Sequence, residues 1–576
     1  MLLVGYESVS PQLKQWGKRV FLKRYGLLLI LVGATILSRI PYRAQIPYGL
    51  DSIQFVLGID NYDVRLHQPH PPGYFLFVMA GRLLRVVLRD NNASLVALNI
   101  AASGLTVALI YFLGQTLFGK PSGLFSALLM MTSPTVWFHG EVALSNMTDC
   151  LLVCLLALLC WKNLTGKSRF IYASTVVLGL AGGVRQNTLV FLFPLWIWSI
   201  RQSGIKRISF CLLLLTATVA SWVLPMTLSS GGVLSYQQSL HDHWINAAWH
   251  GISFEWLLFN GVCIGYFIIL GTGLGTLLLG GGAVLYLRVT SWMHILQTAN
   301  SQFFLIWIIP SLIFFFFIYS HPIQTGHSLI YLPALILLLP AALQLVVAQI
   351  QSILVTHQST EGTMVNPSSE PKVRLLVPIS ARSHQCSSES LGHQQAKKRV
   401  AGPKHWMWIS MGVLLSSNLI VFLFLNSAVS QRRIRHYENA VAEIVSTVRA
   451  HTTPKDTALF NIDLMFLGFR DFMYHLPEYQ TYQLKRYSIS GHQELFAAVG
   501  KKTKLISHIK QSRETKYCVL FADEFTKNSN LAKRIQLNEL TRDNFLSTPS
   551  GLRLYRGKFR DLSKFFPDLP IILREE

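Results

Sequence analysis

The chain has 576 residues, of which 51% are hydrophobic and only 14% charged, with a formal net charge of +23. That balance excludes an ordinary soluble globular protein. Recurrent apolar runs, each long enough to cross about 30 Å of hydrocarbon, indicate a polytopic α-helical membrane protein. The basic excess suits topology better than nucleic-acid binding. Lys14, Lys18, Arg19, Lys23 and Arg24 precede the first apolar run, and further Lys and Arg gather in 162–169, 201–207 and 351–404. The alternate loops, after Arg39, around 139–142, 229–254 and 321–326, are poorer in them. If basic loops stay cytoplasmic, residues 1–24 are cytoplasmic, whereas 40–92 and 428–576 are extracytoplasmic.

The first apolar run, 25–40, lacks a small-residue cleavage site and reads as a span, not a signal peptide. Segment 74–89, YFLFVMAGRLLRVVLR, sets Arg82, Arg85 and Arg89 at near-helical spacing among apolar residues. This is the pattern of an amphipathic helix lying in the membrane interface. Further spans are expected at 93–118, 122–138, 143–161, 170–184, 187–200, 208–228, 255–287, 301–320, 327–350 and 405–427, about eleven in all. The glycines of GLGTLLLGGG, 273–282, fall inside one of them, where they permit close helix packing. A transmembrane catalytic domain is expected over 25–350, followed by a Ser-, Gln- and His-rich linker, 351–404, too poor in apolar residues to fold and so cytoplasmic and disordered. After the last span, residues 428–576 read as a small soluble α/β domain. RRIRHYENAVAEIVSTVRAH is its helix, and ALFNIDLMFLGF, KYCVLFAD and LRLYRG are its strands. The seven cysteines show no ligand spacing, and five lie in or beside apolar runs, where packing is their role.

Candidate chemistry concentrates between Tyr48 and Arg82. Asp51 follows Pro47 and Gly49 directly after the first span, and Asp60, Asp63, His67 and His70 follow it closely. Standing alone, Asp51 would read as a solvated loop residue. In this company it reads as a general base held at the membrane surface. Pro71 and Pro72 fix φ and disfavour helix before them, which is expected to hold His70 in an extended segment.

The order of a basic N-terminus, a first span, YGLDS and then HPHPPGYFLFVMAGRLL resembles the GT-C superfamily of membrane glycosyltransferases. The likeness is to the protein-mannosyltransferase and aminoarabinose-transferase branch. It covers about 25–350, is most specific in 48–82, and names nothing in the linker or the C-terminal region. The resemblance implies a sugar taken from a polyprenyl-phosphate carrier on the extracytoplasmic side, with Asp51 as the catalytic carboxylate. The paired acidic residue usual in the family is missing, since Ser52 follows Asp51. No cofactor or metal is expected; a divalent cation on Asp51, Asp60 and Asp63 is the lesser alternative.

Three later segments bear on the same chemistry. In WFHGEVALSNMTDCLL, Glu141, Asn146 and Asp149 sit where family members carry polar residues near their site, as contacts for donor or acceptor. The plainer reading is that Asn146 and Thr148 cap a helix, with Asp149 in its first turn. Arg185 interrupts apolar sequence, a costly place unless it is paired or faces a watery cavity. Its planar fork suits a phosphate, though an arginine ending a span could also snorkel to the interface. In YSHPIQTGHSLIYLP, His327 is expected to bind donor phosphate together with Arg185 and His70, while Gln324 and Tyr74 offer contacts to donor or acceptor. An interfacial turn is the plainer reading there, and for His321 the favoured one. His241 and His243 lack the third ligand of a zinc site.

These readings combine into an inverting membrane glycosyltransferase. Its partners would be a lipid-phosphate sugar, an acceptor hydroxyl on protein, lipid or polysaccharide, and the bilayer, with no nucleic acid. The membrane would be the plasma membrane of a bacterium or the endoplasmic reticulum of a eukaryote. A multi-span transporter or lipid flippase is the competing class, but it commonly shows two related halves, and no such symmetry is visible.

Overall fold

A computed structural model of the chain describes residues 26–166, 168–244, 253–289, 298–320, 324–360, 403–461, 469–484, 495–499, 502–506, 508–512, 514–522, 545–547, 553–562 and 571–572. The basic N-terminus, most of the 351–404 linker, His321 and residues 462–468 of the first expected strand lie outside the described residues.

The chain is a multi-pass helical membrane protein. Helices α1 (Gly26–Tyr42), α2 (Gly49–Asp60), α3 (Phe75–Leu88) and α4 (Asn91–Phe118) open it. Next come α5 (Lys120–Thr132), α6 (Pro134–His139), α7 (Asn146–Leu164), α8 (Ile171–Val184), α9 (Gln186–Ile200) and α10 (Ile205–Ser229). They are followed by α11 (Val233–His243), α12 (Phe254–Thr272), α13 (Gly275–Val289), α14 (Ala299–Phe317), α15 (Leu332–Thr360) and α16 (Pro403–Leu423). Among the described residues, α4, α7, α10, α12, α14 and α15 are long and apolar enough to cross a membrane, and α1, α8, α9, α13 and α16 are shorter apolar helices.

Two expected spans are broken. The run 255–287 divides at Gly273, whose φ of +56 and ψ of −132 suit a residue without Cβ. Both halves then run along α15, with Gly271 against Leu332, Gly275 against Leu339 and Gly282 against Ala342. Close helix contact is thus what these glycines provide. The run 122–138 divides at Ser133, where Pro134 restarts the helix at its first position. The expected start of the linker at 351 is also moved, because α15 continues through Thr360.

Helix α3 is amphipathic. Leu83, Val86 and Val87 are each more than 70% exposed, while Arg82 turns inward to donate to the carbonyls of Gly58 and Ile59. An outward apolar stripe beside an anchored polar face is the arrangement of a helix resting in the interface.

The C-terminal region is a small α/β domain. Ser430 caps α17 (Gln431–His451) by accepting from the Arg433 N–H. The helix buries Tyr437, Val441, Ile444 and Val448 against β1 (Thr457–Asn461) and its neighbours. The short helix α18 (Phe469–His475) leads to β2 (Gln480–Leu484), β3 (Leu495–Val499), β4 (Lys502–Ile506), β5 (Ile509–Lys510), β6 (Tyr517–Ala522), β7 (Phe545–Ser547), β8 (Arg553–Lys558) and β9 (Ile571–Ile572). The main sheet runs β4-β3-β2-β1-β6-β8-β7. β1 pairs in parallel with both β2 and β6, and is buried at Ala458, Leu459 and Phe460. Parallel pairing requires a crossover, and α18 lies in the one between β1 and β2.

Candidate functional site

The segment 43–92 is not a plain loop: Asp51 stands third in α2. Gly49 opens that helix with φ +71, a conformation glycine adopts without strain. A carboxylate in a first turn is favoured by the free N–H groups there. Ser52 through Ile59 are all buried, whereas the Asp51 side chain stays 41% exposed. The helix is therefore anchored, and the acidic side chain in its first turn remains approachable.

His70 lies next to it, with Nδ1 3.8 Å from Asp51 Oδ1 and Nε2 3.2 Å from the Tyr74 hydroxyl. The expected extended segment around His70 is instead a turn, because the Gly73 N–H bonds back to the His70 carbonyl. Tyr74 ends that turn with φ +47. This left-handed conformation costs a non-glycine residue about 1–3 kcal/mol and persists only where packing enforces it. Here Phe55 packs on both His70 and Tyr74, with ring centroids 5.5 and 5.0 Å away. Burial pulls the His70 imidazole below its ordinary pKa; the Asp51 charge opposes this and Arg185 reinforces it. Burial raises the Tyr74 phenol, with Arg185 acting against it.

Arg185 forms the extended link between α8 and α9. It is 8% exposed, its guanidinium lies 5.4 Å from the Tyr74 ring centroid, and it donates to Ser145 Oγ at 3.0 Å. Among the described residues no carboxylate lies within ion-pair distance of it. A buried guanidinium held by one hydroxyl keeps most of its fork for an anion. Asp149, at the start of α7, accepts from the Thr188 hydroxyl at 2.9 Å and lies within electrostatic reach of Arg185.

The turn before α15 closes another side of the group. Gln324 accepts from the Tyr319 hydroxyl at 3.2 Å, and Tyr319 is within electrostatic reach of Asp51 and Tyr74. His327 stacks on Phe315 at 5.2 Å and lies near Tyr319. Thr325 meets His139 Nε2 at 3.1 Å. Gly326 passes so near Asn146 that a Cβ there would fall 2.4 Å from Nδ2. Asp51, His70, Tyr74, Arg185, Asn146, Asp149, Gln324 and His327 thus belong to one connected neighbourhood. Ser145, His139, Thr325 and Tyr319 join it without having been anticipated; their only signal was position beside the motifs WFHGE and YSHP.

Glu141 does not join. Its carboxylate accepts from Trp137 Nε1 at 2.5 Å, and its backbone carbonyl accepts from the Ala44 N–H at 2.9 Å. Arg39 lies over the Trp137 ring at 4.5 Å and donates to the Met131 carbonyl at 2.6 Å. Burial pushes the Glu141 carboxyl well above the usual carboxylate range, with the Arg39 charge opposing. The tight turn after α6 sends this side chain toward Arg39 of α1. Asp60 and Asp63 are likewise taken, by Arg85 at 2.6 Å and Arg65 at 2.7 Å. Among the described residues no three His, Cys, Asp or Glu side chains, the three aspartates of the alternative cation site included, come together as a metal site.

Residues 69–227 match the family model described as dolichyl-phosphate-mannose-protein mannosyltransferase. Among solved structures, the fold resembles ArnT from Cupriavidus metallidurans bound to undecaprenyl phosphate, with a TM-score of 0.54, 10% identity, and coverage of 93% of this chain and 98% of that one. The apo state of the same protein gives 0.48 at 10% identity over the same shares of both chains. The oligosaccharyltransferase of Archaeoglobus fulgidus in its apo form gives 0.47 at 11% identity, covering 93% of this chain and 75% of that one. At those lower scores, neither adds to the fold assignment. No curated protein matches the sequence.

Proposed function

We propose that this chain is a GT-C-type membrane glycosyltransferase that takes its sugar from a polyprenyl- or dolichyl-phosphate carrier and transfers it, with inversion, to an acceptor hydroxyl on the extracytoplasmic side. One observation carries the reading. An approachable carboxylate, Asp51, and a buried arginine with no carboxylate partner among the described residues, Arg185, are bridged by the side chains of His70 and Tyr74. That arrangement pairs a base with an anion holder across a short polar seam. Two features support the donor class. Helix α3, with its outward apolar stripe, follows directly on Tyr74 of the seam, and the fold neighbour ArnT was crystallised with undecaprenyl phosphate.

In the proposed reaction Asp51 takes the proton of the acceptor hydroxyl as its oxygen bonds to the anomeric carbon. The bond from that carbon to the carrier phosphate breaks, and its electron pair leaves with the phosphate oxygen. Arg185 offers its fork to the charge that grows there, with His70 beside it and His327 a further holder from the turn before α15. General-base assistance of this kind contributes about 10²–10⁴-fold, and donors aimed at developing charge contribute at least as much. The Asp51 carboxylate and the Arg185 guanidinium sit at opposite ends of the seam, which favours attack and departure on opposite faces of the sugar.

The test is Asp51→Asn in membranes supplied with radiolabelled lipid-phosphate pentoses and hexoses. Transfer should fall by about 10²–10⁴-fold. A folded variant that transfers sugar as fast as the parent would remove Asp51 as the base.

A further inference from the structure

Helix α2 begins at a residue whose own neighbours do not cap it. Tyr48, at the N-cap, makes no side-chain cap bond. The first N–H groups of any helix lack partners within it and must find them elsewhere. Here the partner comes from the far end of the chain. The Tyr437 hydroxyl, fully buried on α17, is within hydrogen-bond reach of the Gly49 N–H and donates to Asp471 on α18. The Tyr437 ring also packs on Tyr48, with centroids 5.0 Å apart. Other contacts hold the same stretch on either side. Glu438 accepts from the Gln45 N–H at 2.6 Å, and Met473 is buried with Ile53 and Leu57. Beyond the helix, Arg470 donates to the Leu66 carbonyl.

We propose that the C-terminal domain sets the position of the Asp51 carboxylate, with Tyr437 as the positioning residue and Asp471 orienting its hydroxyl. This rests on the reading of Asp51 as the base. Asp51 is two residues from Gly49, in the same turn of helix. Any fraying of that turn swings the carboxylate away from His70 and the acceptor. Removing the hydroxyl takes away the side chain that reaches the uncapped first turn of α2, and a helix start without a partner for its N–H groups frays or shifts. A misplacement of about 1 Å at a reacting group can cost about 10²-fold in rate.

The experiment uses full-length Tyr437→Phe, Asp471→Ala and Asp471→Asn in native membranes and purified in lipid nanodiscs. Tyr437→Phe and Asp471→Ala should lower kcat per folded molecule by about 10- to 100-fold with donor KM unchanged. Amide exchange at residues 49–53 should quicken while exchange in α4 and α7 stays as in the parent. Asp471→Asn, which keeps an acceptor oxygen, should restore most of kcat. Parental kcat in Tyr437→Phe, or parental exchange at 49–53, overturns the proposal. If Tyr437→Phe fails to accumulate, exchange in Asp471→Ala decides by the same criterion. An active Asp51→Asn enzyme overturns both this inference and the base assignment. An inactive Asp51→Asn beside a fully active Tyr437→Phe overturns this one alone.

Discussion

Replacing Arg185 by Lys keeps the charge but removes the fork, and so isolates what geometry contributes to the proposed contact with donor phosphate. In the parent, one Nη donates to Ser145 at 3.0 Å and no carboxylate neutralises the group among the described residues. The rest of the guanidinium is therefore available to a ligand. Losing one charge-assisted hydrogen bond costs about 1.5–3 kcal/mol, and each 1.36 kcal/mol is about tenfold in rate. Arg185→Lys should then lower kcat/KM by about 10- to 150-fold. If the contact strengthens as charge builds on the departing phosphate, most of that loss falls on kcat. Stability should barely change, because no buried acid loses an ion-pair partner. The assay is initial-rate transfer from lipid-phosphate sugar in proteoliposomes, with kcat and donor KM resolved, alongside a thermal melt. Unchanged kcat and KM would refute the reasoning. Activity lost only in proportion to folded protein would make Arg185 a structural residue.

Two further outcomes are expected. Burial holds the His70 pKa below the ordinary imidazole value, so the unfolded chain binds this proton more readily. Its contribution to stability is intact above about pH 6.5 and is lost as pH falls toward the depressed folded value. The melting temperature should thus drop between pH 7 and pH 5 by more in the parent than in His70→Gln, and equal drops would contradict this. Glu141→Ala should destabilise the protein by about 1–3 kcal/mol, since the buried Trp137 N–H loses its acceptor, yet leave kcat per folded molecule as it was. A selective loss of kcat would return Glu141 to the site.

The membrane helices were legible because a bilayer demands long apolar runs, and nothing in a soluble core does. Their breaks were not, since Gly273 and Pro134 look like tolerated interruptions until a neighbouring helix is seen to use them. Helix α2 escaped notice for a different reason. It is buried from Ser52 to Ile59 and so lacks the one-sided apolar stripe by which helices are recognised. Asp51, His70 and Arg185 could be suspected from their cost, as charged or polar groups where apolar residues are cheaper. That Ser145 would hold Arg185 depends on how α7 packs against α8 and α9, and no local pattern encodes it. Glu141 and Asn146 were indistinguishable in sequence; a tight turn between them directs one toward α1 and leaves the other against Gly326.

Closing the start of α2 with a tyrosine from the last domain also imposes an order of assembly. A nascent chain released before residue 437 could thread its apolar segments into the bilayer, yet the turn bearing Asp51 would stay open. Prematurely terminated copies would then be inert passengers, and competence would arrive only once the segment bearing Tyr437 has been made.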